Sequence, residues 1–255
     1  MDIRGKNALV TGASRGLGAA LARQLGMRGA RVVLVARGQT ELEQVAQDIV
    51  AAGGVAHALP ADVGDKQSTL RIAGAAAALV GPIDLLIHDA STLGPTPLPA
   101  LLDTECEDLA QVLEVNLVGP FRLSKVLVGS MVLRGAGLVV HVSSDAAVEA
   151  YPRWGAYGVS KAALDHLGRI WAAELAGTGV GVLSVDPGEM DTAMHAAAMP
   201  DADRSTLGVP RDVAARIVWA IEHHERFAPG ARLLASELGA VVKVAAGGPA
   251  AEVSP

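Results

Sequence analysis

A single cysteine, Cys106, in 255 residues leaves no internal disulfide framework, and a reducing compartment is the natural home of such a chain. Aromatic residues are also scarce: three Trp, two Tyr and two Phe. A deep aromatic ligand box is therefore not expected. No apolar run reaches the roughly 18 residues of a membrane span. The opening MDIRGKNALVTG has Asp2 and Arg4 and lacks a signal-peptide pattern, so a cytoplasmic protein with no membrane association is expected. Lys and Arg nowhere cluster and the formal net charge is -6, which argues against a nucleic-acid partner. The seven histidines show no H-E-x-x-H spacing, and His223-His224-Glu225 reads as a solvated helix end, so no metal site is expected.

What the chain has is aliphatic: 51% of it is apolar, largely Ala, Val and Leu, a composition suited to packing helices closely on a sheet. Short β-branched runs recur at 7–12, 31–36, 55–59, 83–88, 137–143, 179–185 and 231–235. Between them GAALARQLGMRG, TELEQVAQDIVAAGG, KQSTLRIAGAAAALVG, TECEDLAQVLEVNLVG, AYGVSKAALDHLGRIWAAELAG and PRDVAARIVWAIEHH carry apolar residues at helical intervals. Strand and helix alternate, and the connections are too long for hairpins. The pattern predicts an α/β fold: one doubly wound parallel sheet, Rossmann-like, with helices on both faces. It is expected to form a single domain over 1–236, with 237–255 as a mobile tail. Two loops, 89–100 with three prolines and 186–210, follow strands at the ends where such sheets bind ligands.

The first strand runs into TGASRGLG and then a helix. Gly12, Gly16 and Gly18 remove side chains where a backbone must turn and approach a pyrophosphate, and the following helix offers free N–H groups. Strand two ends at Ala36-Arg37 with no acid to bind an adenosine ribose. Arg37, joined by Arg15 in the glycine loop, can instead pair with a 2′-phosphate, which favours NADP over NAD.

Tyr157 and Lys161, in GAYGVSK, lie four apart and so share a helix face. Pro120 follows Asn116 by four residues. It has no N–H to give the Asn116 carbonyl, so a kink is expected there.

TGASRGLG, ADV at 61–63, VNLVG at 115–119, VSS at 142–144, YGVSK at 157–161 and DPGEMDT at 186–192 together resemble the short-chain dehydrogenases/reductases, over about residues 5–225. The resemblance implies an NADP(H)-dependent oxidoreductase interconverting a carbonyl and a secondary alcohol by hydride transfer. Its catalytic set would be Asn116, Ser144, Tyr157 and Lys161. Ser144 is chosen over Ser143 because it lies thirteen residues before Tyr157, the family's usual interval. Lys161 would tune Tyr157 toward the phenolate and hold the nicotinamide ribose. Contacts to the cofactor would come from Gly12, Ser14, Arg15, Gly16, Leu17, Gly18, Arg37, Asp62, Val63, Ala90, Tyr157, Lys161, Pro187, Gly188 and Thr192, with Asp62 and Val63 at the adenine and Thr192 at the carboxamide. The alternative is an NADP-binding sensor or scaffold of the same fold that does not turn over.

The chain also departs from the family. Where it usually has Asn-Asn-Ala-Gly, this sequence reads His88-Asp89-Ala90-Ser91, placing titratable groups beside the cofactor; bonding to neighbouring strands is the expected role of His88. Its C-terminal end fits the family's tetramer contact only loosely, so a homodimer is expected, with a tetramer as the alternative. The substrate, a small carbonyl or alcohol, would meet walls drawn from Trp154, Glu149, Met190 and His195.

Overall fold

The computed structural model describes residues 1–239. The described residues form seven strands: β1 (Asn7–Thr11), β2 (Arg31–Ala36), β3 (Val55–Pro60), β4 (Leu85–His88), β5 (Gly137–Val142), β6 (Val180–Asp186) and β7 (Arg232–Leu234). They pair in the order β3-β2-β1-β4-β5-β6-β7, every pair parallel. β1, β4 and β5 are buried along their whole length, which is why they are mostly aliphatic with no regular polar alternation, Asn7, Thr11, His88 and His141 being the buried polar exceptions.

Two apolar clusters cover the two faces of this sheet. One packs α1 (Gly16–Met27), α2 (Gln39–Ala51) and α8 (Pro210–Glu222) through Leu21, Leu25, Leu42 and Ile217. The other packs α3 (Ser68–Val80), α5 (Gly119–Arg134) and α6 (Gly155–Glu174) through Ile72, Leu123, Met131 and Ala172. Each fully buried Leu or Ile contributes on the order of 1.5–3 kcal/mol, and the small faces of Ala19, Ala20 and Ala22 let α1 sit close to the sheet.

Three details differ from the sequence reading. The helical segment expected to end near Gly119 is α4 (Cys106–Leu113), a single π-helical turn (Glu114–Val118) and then α5, sixteen residues long. Pro120 is the second residue of α5, in the first turn where a missing N–H is tolerated, and the irregularity appears one turn earlier as the π-turn around Asn116. The 186–210 loop contains a short helix, α7 (Ala193–Ala198), and its base is closed by paired Met190 and Gly208. Leu238 is buried in the first cluster, so the packed chain continues past 237; the rest of the expected tail, 240–255, lies outside the described residues.

Candidate active site

Loops leaving the C-terminal ends of β1, β4, β5 and β6 converge on one side of the sheet. Thr11, the last residue of β1, accepts hydrogen bonds at Oγ1 from the N–H groups of Asp89 and Ala90, both at 3.2 Å. That clamp holds the glycine loop against the segment after β4. Gly12 has φ 72° and touches this segment so closely that a Cβ would lie 2.7 Å from Ala90 N. α1 begins at Gly16 with no side-chain cap and no acid in its first turn; the Gly18 N–H meets the Asp89 carboxyl, and the N–H groups before it are left to a ligand. Across the opening, Thr192 packs beside Gly16. Arg15 and Arg37 are both exposed, and neither pairs with a carboxylate among the described residues.

A cavity of about 250 Å³ opens beside this loop, and Ser144, Tyr157, Pro187, Gly188 and Thr192 line it. Ser144 donates to Asp145 Oδ1 at 3.0 Å and accepts from Ala146 N at 3.2 Å. Tyr157 is 8% exposed and meets the Trp154 ring edge-on at 5.6 Å. Asn116 lies behind the cavity, 1% exposed. Its side chain accepts from Thr92 N (2.8 Å) and donates to Thr92 O (2.9 Å) and Ser160 Oγ (2.9 Å). Ser160 in turn donates to the Tyr157 carbonyl at 2.6 Å. The π-turn thus supports the helix turn that carries Tyr157.

Lys161 shares the face of Tyr157, as the spacing predicted, with its ammonium 5.6 Å from the ring centroid. It is buried and donates to the Val142 carbonyl at 2.7 Å. The expected tuning of the phenol runs the other way in the protein alone. Burial raises the Tyr157 pKa above the ordinary phenol value, the Ser144 hydroxyl opposes this, and Asp89, Asp186 and Asp145 add to the rise. Burial lowers Lys161, while Asp89, Asp165 and Asp186 hold its charge. Asp89 is the mirror case: burial raises it, and Lys161 and the Gly18 N–H oppose. The remaining cofactor candidates occupy the same side. Asp62 accepts from Gly64 N at 2.9 Å, and the Val63 carbonyl lies against Gly119.

A group that sequence reasoning missed supports Ser144 from behind. Arg232, at the start of β7, donates to the Ser144 carbonyl (2.8 Å), to Asp186 Oδ2 (2.8 Å) and to Asp165 Oδ2 (3.1 Å). Asp165 also accepts from Ser143 Oγ at 2.7 Å, and Ser143 lines the cavity together with Ser144. The local signal was Asp165, an acid four residues beyond Lys161 and so on the same helix face.

His88 and His141 pair across β4 and β5 with ring centroids 5.4 Å apart. His88 Nε2 meets Ser124 Oγ on α5 at 2.9 Å, a bond to a helix rather than to the neighbouring strands expected, whereas His141 Nδ1 is buried without a hydrogen-bond partner among the described residues. Burial lowers both; His141, with Lys161 adding to the effect, falls from 6.5 to about 4. Between those values the unfolded chain binds the proton and the folded one does not, so stability falls with pH from 6.5 to about 4. Each such histidine contributes a slope of about 1.4 kcal/mol per pH unit. His141→Gln is therefore expected to flatten the urea-denaturation stability profile by that amount below pH 6.5, and an unchanged slope would refute the assignment.

Comparison with known proteins decides the family. The family profile described as short chain dehydrogenase matches residues 6–203. The chain belongs to the short-chain dehydrogenase/reductase family. It is 37% identical over 200 residues to a short chain dehydrogenase of Pseudocercospora fijiensis, covering 76% of this chain and 63% of that one. A metagenomic short-chain oxidoreductase in complex with NADP superposes with a TM-score of 0.78 at 29% identity, covering 92% of this chain and 98% of the other. A 7α-hydroxysteroid dehydrogenase complexed with NADH and 7-oxo glycochenodeoxycholic acid gives 0.84 at 27% identity, covering 91% and 94%. The chain is thus an oxidoreductase of a fold that takes nicotinamide cofactors, and its relatives include users of either dinucleotide. Among the described residues no helix is long and apolar enough to cross a membrane.

Proposed function

We propose that this short-chain dehydrogenase/reductase is NADP-dependent and interconverts a carbonyl and a secondary alcohol. The observation that carries the reading is the pair of hydroxyls, Ser144 and Tyr157, on one cavity beside Pro187, Gly188 and Thr192. The residues present fit the cofactor: Gly12, Gly16 and Gly18 form a cradle without side chains, and the uncapped start of α1 adjoins it. Gly12 to Gly18, with Ser14 and Leu17, would hold the pyrophosphate, Arg15 and Arg37 the 2′-phosphate, Asp62, Val63 and Ala90 the adenosine side, and Thr192 the carboxamide. When bound, the nicotinamide supplies or accepts the hydride.

The protein's part is to place a proton. Ser144 Oγ orients the carbonyl oxygen of the substrate, and Tyr157 Oη delivers a proton to it or takes one from the alcohol. Lys161 provides a buried positive charge under the reacting region, and Asn116 fixes the helix turn that carries the phenol. Arg232 keeps the Ser144 backbone from drifting.

The test of cofactor choice is titration with NADPH and NADH followed by a carbonyl panel read through NADPH absorbance. Arg37→Ala is expected to weaken NADPH by about 10–100-fold, the loss of a charge-assisted phosphate contact, and to change NADH little. Equal losses for both would contradict phosphate recognition. Tight NADPH binding with no turnover across the panel would make the chain a sensor instead. The reading includes a homodimer in the cytoplasm, and the exposed Phe121, Val126, Leu133, Val159 and Ile170 on α5 and α6 support a self-associating face.

A further inference from the structure

The cavity is apolar in its walls and negatively charged at its polar edge. Met190, Met194, Met199, Leu93 and Trp154 supply the walls, and unbranched thioethers adapt to more than one ligand shape. Its charged lining residues are Asp145, Asp186 and Glu189, and no Lys or Arg lines it among the described residues. Asp186 is neutralised by Arg232 at 2.8 Å. Among the described residues Asp145 and Glu189 have no such Lys or Arg partner: Asp145 is met by neutral donors, including Tyr151 Oη at 3.0 Å, and Glu189 is 60% exposed, 3.7 Å from the His195 ring. Arg204, the cation of the loop over the cavity, is held by Asp191 at 2.7 Å. Arg153 lies outside, on a small cleft with Pro95 and Asp108. Both Asp145 and Glu189 raise the Tyr151 pKa, and Asp145 also raises that of Tyr157. Their field thus spans the cavity from its mouth to the phenol.

Resting on the oxidoreductase reading above, we propose that this site selects hydrophobic carbonyl compounds that are neutral or cationic, and that Asp145 and Glu189 act as the specificity residues that turn away carboxylates and phosphate-bearing substrates. An anion entering the cavity meets two carboxylates and, among the described residues, no unpaired Lys or Arg, whereas an ammonium group finds a counter-charge. Like charges across a partly desolvated site discriminate strongly between partners of the same shape.

Three aryl ketones of one skeleton test this: 4-(aminomethyl)acetophenone, 4-(hydroxymethyl)acetophenone and 4-acetylbenzoate. Binding to the NADPH-loaded Tyr157→Phe variant, read by saturation-transfer NMR, separates recognition from turnover. The ammonium and neutral ketones are expected to bind at least ~10-fold more tightly than the carboxylate at low salt, the gap narrowing as ionic strength rises. Glu189→Gln, a change at an exposed side chain, should compress the ratio, and the Glu189→Gln/Asp145→Asn pair should compress it further. Equal binding of all three, tighter binding of the carboxylate, a ratio indifferent to both variants, or no saturation transfer to any of the three would overturn the proposal. The expected binding order in a wild-type protein that oxidises no NADPH with these ketones would instead remove the oxidoreductase reading and leave the charge selectivity standing.

Discussion

Tyr157→Phe is expected to lower kcat/KM for carbonyl reduction by about 10²–10⁴-fold, the range for loss of a positioned general acid, while NADPH affinity changes little. The substitution keeps the ring, its edge contact with Trp154 at 5.6 Å and the 8% exposure of the site, so the packing of α6 is preserved. Only the proton is lost. Because burial and the surrounding carboxylates raise the phenol above its ordinary value of 10, Tyr157 in the free protein is protonated throughout the neutral range. In the proposed mechanism it would enter carbonyl reduction in the state that reaction needs. Alcohol oxidation needs the phenolate, so its rate is expected to climb with pH into the alkaline range, while reduction stays level near neutrality. A Tyr157→Phe enzyme that keeps the wild-type rate, or an oxidation rate indifferent to pH, would end the assignment of this hydroxyl as the acid.

The difference between the expected and observed tuning of Tyr157 illustrates how far a sequence can be read. The interval of four placed Lys161 on the right face, because helix geometry is local. Where its ammonium would point was not local: it depends on the Val142 carbonyl and on Asp89, Asp165 and Asp186, which arrive from other elements. The same distinction runs through the fold. Six of the helices and all seven strands lay in short aliphatic patterns, and the order of motifs along them carried the family. The kink expected at Asn116 and Pro120 is present as a π-turn, but the sixteen residues of α5 beyond it were not among the helical segments drawn from the sequence. α7 was missed because six residues, four of them alanine, give no amphipathic period. The Arg232 network was out of reach, since its carboxylates lie 67 and 46 residues away in sequence. Contacts of that kind follow from the strand order, which places β7 beside β6, and no local pattern encodes that.

Gly12→Ala is expected to destabilise the protein by about 2–5 kcal/mol and to abolish measurable dinucleotide binding. Two costs add at this position. A side chain at φ 72° carries the left-handed penalty of about 1–2 kcal/mol, and its Cβ would stand 2.7 Å from Ala90 N and 2.8 Å from Ala90 Cα, an overpacking cost of about 1–3 kcal/mol. The neighbour cannot retreat cheaply, because Thr11 Oγ1 holds both the Asp89 and Ala90 N–H groups at 3.2 Å. Any retreat would also disturb Asp89, whose carboxyl lies against Gly18 and compensates the buried charge of Lys161. Gly5 supplies the control: its φ is 73°, and nothing lies within 4 Å of a Cβ placed there. Gly5→Ala should therefore show the backbone penalty alone, about 1–2 kcal/mol, with NADPH binding intact. Urea denaturation of the two variants, paired with NADPH titration, separates close approach from backbone strain. Equal destabilisation at both positions would mean that the contact between the glycine loop and the segment after β4 contributes nothing. In that event the coupling of the phosphate cradle to the Asp89–Lys161 pair would fail with it.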